Sequence, residues 1–75
     1  MNKDVQLKIG RKLRALRLKK GYSSYENFAN VHGLSRMHYW KMEKGLTNLT
    51  IKSQCKVLNI HKISIEDFFK KKSKF

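Results

Sequence analysis

Between Asp4 and Lys20 the apolar residues Val5, Ile9, Leu13 and Leu16 recur at spacings of four and three, with Leu7 and Leu18 flanking and lysines and arginines between them. That period puts the apolar residues on one stripe of an amphipathic helix, which the pattern ends near Gly21. Gly10 interrupts the stripe, and because glycine costs a helix interior about 1 kcal/mol relative to alanine, the first turns are expected to fray or the helix to start later. A second, short helix is predicted from about Ser24 to His32, with Ser23 and Glu26 at the S-x-x-E spacing of a capping box. Gly33 offers a positive φ for a tight turn, and Ser35 can cap a third helix that reaches Lys44 and stops at Gly45. Thr50 can cap a fourth helix whose apolar face reads as Ile51, Cys55 and Leu58, with the register from Val57 to Ile63 left open. Ser64 can cap a last turn, IEDFF, whose acids lie at the positive end of its dipole. The pattern therefore predicts an all-α, five-helix domain over residues 1–69 and a basic C-terminal tail over residues 70–75.

Length and charge narrow this picture. A chain of 75 residues holds one domain with a modest core, and the absence of proline and of any low-complexity linker agrees with that. Its 18 Lys and Arg against 5 Asp and Glu give a net charge of +13, which calls for an acidic partner: nucleic acid, an anionic membrane surface or an acidic protein. No apolar run approaches the roughly 18 residues of a membrane-spanning helix. MNKDVQLKIG lacks the apolar centre of a signal peptide, so a cytoplasmic location is expected. Cys55 is the lone cysteine, which rules out an intrachain disulfide and suits a small core position. His32, His38 and His61 lack metal-ligand spacing and acidic or cysteine companions, so no metal and no cofactor is expected. Few carboxylates, no activated nucleophile pattern and no glycine-rich phosphate loop argue against an enzyme.

The stretch GLSRMHYWKMEKG, residues 33–45, carries the chemistry. Tyr39 and Met42 are three apart and share a face, with Leu34 leading in, so this face is core. The opposite face then presents Arg36, Met37, Trp40 and Lys41. Two short helices joined by about three residues form the pattern of a helix-turn-helix, in which the second helix of the pair enters the DNA major groove. Arg36, in the first turn, suits a bidentate contact to guanine O6 and N7; Lys41 suits a base or a phosphate; Met37 and Trp40 suit thymine methyls or sugar. His38 is read as a surface residue near a phosphate.

Taken in order, LRALRLKKG, then FA followed three residues later by GLS, then YWKMEKG, NLTIKS and ISIEDFF resemble the phage-repressor-like (Cro/repressor, XRE-type) helix-turn-helix regulators, over about Ile9 to Phe69. The resemblance implies a lambda-repressor-like fold in which Ala29 sits where the two helices touch, Gly33 makes the turn, and Phe28, Leu34, Tyr39 and Met42 are core. It implies a salt bridge between Arg17 and Glu43, and a DNA-backbone grip from Ser24, Tyr25, Lys44, Asn48 and Thr50. The chain departs from the family pattern in one extra residue between Gly21 and Ala29, in Tyr25 where a glutamine is usual, in His32 where an aliphatic residue is usual, and in a fourth helix about three residues short. The function expected is sequence-specific binding of double-stranded DNA as a transcriptional regulator, a repressor, working as a homodimer whose surface includes the fourth and fifth helices, with Phe68 and Phe69 in core or interface. No small-molecule ligand and no membrane is expected as a partner. Two alternatives stay open: an antitoxin or restriction-modification controller using the same domain, or a basic amphipathic protein that binds an anionic membrane or an acidic protein.

Overall fold

The computed structural model describes residues 3–47 and 50–69, and for Phe69 the main chain only. Over these residues the chain is all-helical, with α1 (Lys3–Lys19), α2 (Tyr25–Val31), α3 (Arg36–Lys44), α4 (Ile51–Ile60) and α5 (Ile65–Phe69). The stripe of Ile9, Leu13 and Leu16 on α1 is buried, and Phe28 and Ala29 of α2, Tyr39 and Met42 of α3, Val57 and Leu58 of α4 and Phe68 of α5 close on it as one core. Val5 and Leu18, at the two ends of α1, lie outside it and are exposed.

Each of the last four helices starts on a hydroxyl. The N–H groups of Asn27, His38, Ser53 and Asp67 donate to the side-chain oxygens of Ser24, Ser35, Thr50 and Ser64 at 3.1–3.3 Å. These bonds satisfy donors that have no partner inside the helix. The cap of α2 is therefore Ser24, one residue beyond the expected Ser23, and Glu26 takes no part in a capping box. The shift follows from the extended conformation of Ser24 (φ −111°, ψ 128°), which starts the helix at Tyr25.

Four helices also end alike. The N–H groups of Tyr22, Leu34, Leu46 and Ile63 each reach back five residues to the carbonyls of Arg17, Ala29, Lys41 and Leu58 at 2.8–3.1 Å. This closure needs a left-handed residue just before the donor. Gly21, Gly33 and Gly45 provide it in three cases, whereas α4 ends on Lys62 at φ 56°, the one non-glycine with positive φ among the described residues.

Two further expectations are corrected. The buried stripe of α4 runs through Gln54, Val57 and Leu58, so Ile51 is 65% exposed and Cys55 only half-buried. Only Leu58 of the expected face is central, because the helix is turned toward its 54 and 57 side. The second correction concerns Gly10, which neither frays α1 nor delays its start. Gly10 is buried where α1 crosses α3, and a Cβ placed on it would collide with the main chain of α3, lying 2.8 Å from both Glu43 C and Met42 O. Glycine is there because the two backbones touch.

That crossing reverses the usual sign of a glycine-to-alanine change. On propensity alone Gly10→Ala would stabilise α1 by about 1 kcal/mol. Against a backbone that no rotamer change can move aside, it is expected to destabilise the domain by about 2 kcal/mol or more. Urea unfolding midpoints measure the difference, and a midpoint at or above that of the parent chain refutes the backbone contact.

Candidate functional site

The orientation of α3 is fixed from behind. Tyr39 and Met42 are each 1% exposed, Glu43 joins them on the buried side, and α3 packs on both α1 and α2. Its last turn is held by an ion pair with α1, in which Arg17 Nε donates to Glu43 Oε2 at 2.8 Å and Arg17 Nη2 to Glu43 Oε1 at 3.1 Å. Arg17 Nη1 also donates to the Tyr22 carbonyl at 3.0 Å, so one guanidinium binds α3 and the turn after α1 together. Both side chains are about 5% exposed. The hydrogen bond to Glu43 raises the pKa of Arg17 against the lowering effect of burial. Beside them the Tyr39 hydroxyl is buried without a hydrogen bond of good geometry, and burial, reinforced by Glu43, raises its pKa well above 10. Removing either partner of such a pair strands a buried charge, which costs several kcal/mol.

With that side occupied, Arg36, Met37 and Lys41 are exposed, Met37 by 63%. Trp40 is the exception to the expected outward face. It is half-buried, since about 100° of helix rotation from Tyr39 sets it on the flank of the buried side and not opposite it. Arg36 also has a neighbour that the sequence reading missed: its Nη1 lies 3.9 Å from Glu26 Oε2 on α2. Both side chains are well over half exposed, so this pair restrains Arg36 weakly.

The expected backbone-gripping residues are spread over three helices. Ser24 is the cap of α2 with Tyr25 half-buried behind it, Lys44 is exposed in the last turn of α3, and Thr50 is the exposed cap of α4. His38 is exposed and its Nε2 lies 3.4 Å from Ser53 Oγ on α4, so it faces that helix. Asn48 lies outside the described residues.

Behind the α2–α3 turn is an aromatic cluster centred on Phe28. Tyr22 and His32 meet it at 5.3 and 4.6 Å between ring centroids, Tyr39 at 5.1 Å, and His61 stacks on it at 5.4 Å with an 8° interplanar angle. His32, a departure from the pattern of the family that the sequence resembles, is a half-buried ring. The Nε2 atoms of His32 and His61 are buried and unpartnered. Burial pushes the His61 pKa down to about 4, helped by the positive charge of Lys20 and by His32. Phe28 and His32, four apart, share one helix face, which is the only local signal for this cluster; nothing in the local pattern points to Tyr22 or His61.

Among the described residues no three His, Cys, Asp or Glu side chains converge to hold a metal ion, and no helix is long and apolar enough to cross a membrane. Comparison with protein-family models, with curated proteins and with solved structures gave no match.

The His61 ring links the cluster to acid stability. Its folded pKa, about 4, lies below the ordinary 6.5, so between these values the unfolded chain binds the proton first. The stability gained from the neutral ring is complete above about pH 6.5 and falls as the pH drops toward 4. The expected loss from this one group is about 2–3 kcal/mol between pH 7 and pH 4. Urea midpoints at both pH values check it, and in His61→Phe the acid loss should shrink by that amount.

Proposed function

We propose that the chain is a sequence-specific binder of double-stranded DNA, a transcriptional repressor with a lambda-repressor-like helix-turn-helix formed by α2 and α3, working as a homodimer. The observation that carries this reading is the division of α3 into two sides. Tyr39, Met42 and Glu43 hold it to the body of the molecule, while Arg36, Met37 and Lys41 stand exposed. An arginine in the first turn of such a helix can reach the O6 and N7 of guanine with two donors at once. The net charge of +13 supports a polyanion as the partner.

Binding proceeds in two stages on this reading. Cationic side chains first draw the protein to any duplex in a salt-dependent way, and Arg36, Met37 and Lys41 then select the half-site. Arg36 must leave Glu26 to do so, at small cost, because an exposed pair at 3.9 Å is weak. Trp40 offers only the part of its ring that is not packed. Ser24, Tyr25, Lys44 and Thr50 stand at the ends of α2, α3 and α4, where backbone contacts set register without reading sequence. A domain with so few base-reading side chains gains specificity by pairing two copies on a palindrome.

Selection from randomised duplexes supplies the preferred site, and fluorescence anisotropy at fixed salt then compares that site with random DNA. Arg36→Ala is expected to weaken binding to the preferred site by about 10- to 100-fold, the range for loss of a bidentate base contact, and to weaken random DNA far less. An equal loss on both removes Arg36 from base reading, and a failure to enrich any site removes the proposal itself.

A further inference from the structure

The helices do not pack evenly. Helix α3 approaches α1 and α2, whereas α4 makes its close approach to α5. A cleft of about 260 Å³ remains between α3 and α4. Its floor is apolar, made by Leu34, Met42 and Val57, the last two almost fully buried. Its rim is cationic, because Lys52 and Lys56 stand one turn apart along α4, both exposed and neither paired with a carboxylate among the described residues. No acidic side chain lines the cleft. His38 of α3 and Ser53 of α4 face each other across it at 3.4 Å.

Floor and rim ask for different things of an occupant. A bare inorganic anion would satisfy the lysines and leave the apolar floor against water. A neutral apolar molecule would cover the floor and leave two like charges one helical turn apart with no counter-charge, an arrangement that disfavours itself. A molecule with an apolar body and one anionic head meets both. Pockets for drug-sized ligands start at about 300 Å³, so the body here is a single ring or a short chain. The carboxylate head suits lysine ammonium groups, which act as mobile point charges and require no planar fork.

We propose that the α3–α4 cleft is a binding site for small monocarboxylates with an apolar body, the carboxylate held by Lys52 and Lys56 and the body on Leu34, Met42 and Val57. Such a ligand touches α3 and α4 at once and links the helix that carries Arg36 to one that packs less closely on it than α1 and α2 do. The site stands independently of the DNA reading; only an effect of the ligand on DNA affinity rests on that reading.

The test uses the full chain, labelled with nitrogen-15 and followed by amide chemical shifts. The probes are 3-phenylpropionate, its uncharged amide 3-phenylpropionamide, and inorganic phosphate. Saturable shifts at Leu34, Ser53 and Val57 with the carboxylate, and much weaker shifts with the amide and with phosphate, are the expected result. In Lys52→Gln/Lys56→Gln, whose altered side chains are exposed, carboxylate affinity should fall by about tenfold or more, the scale of losing hydrogen bonds to charged groups. Phosphate binding as tightly as the carboxylate, shifts spread over the lysines of α1 instead of the cleft, or undiminished binding in the double variant would each overturn the proposal. None of these outcomes bears on whether the chain binds a duplex, which the anisotropy measurement decides separately.

Discussion

The ion pair between Arg17 and Glu43 is the constraint on which the rest depends. Taking two charges out of water is expensive, and a buried pair is tolerated only when its geometry recovers most of that loss. Here the guanidinium meets both carboxylate oxygens through Nε and Nη2 and uses its third nitrogen, Nη1, on the Tyr22 carbonyl. The result is one rotation of α3 about its own axis. Glu43 can reach Arg17 only if Tyr39 and Met42 also face inward, and that rotation exposes Arg36, Met37 and Lys41. The main chain of the same residue, Glu43, is what Gly10 packs on, so α3 is gripped at one point by both backbone and side chain.

The distribution of the few acids sharpens this. Of the five in the chain, Glu43 is buried in the pair, Asp4 sits in the first turn of α1, and Glu66 and Asp67 sit in the first turn of α5, where the helix dipole favours them. Only Glu26 approaches the outward side of α3. The exterior around α3 and along α4 is therefore cationic with little internal compensation, which is why both functional readings, a duplex on one side of α3 and a carboxylate in the cleft on another, invoke anions.

Much of the fold was legible because it rests on local rules. The stripe Ile9, Leu13, Leu16, the hydroxyl caps at Ser35, Thr50 and Ser64, and the stops at Gly21 and Gly45 follow from helical period and from which residues satisfy helix ends. The expected inward face of α3 followed from two residues three apart. The missed features are those set by distant partners. Gly10 reads as a weak point in one helix and becomes intelligible only when α3 lies across it. The S-x-x-E spacing singles out Ser23 over its neighbour Ser24, yet the cap is Ser24, on the helix that buries Phe28 and Ala29. The end of α4 could not be located because a lysine at position 62 occupies the left-handed place that glycine marks elsewhere. The ion pair came from family resemblance, since 26 residues separate its partners and no local pattern joins them.

The backbone crossing at Gly10 has an implication for how this chain can vary. Contacts made by side chains can be retuned by exchanging one side chain for another, whereas a contact between two main chains admits no such adjustment. The residues that seat α3 and those it exposes are different sets, so substitutions at positions 36, 37 and 41 leave the seating untouched. The outer surface of that helix is thus open to diversification on an unchanging chassis, while the angle at which the helix is mounted stays fixed.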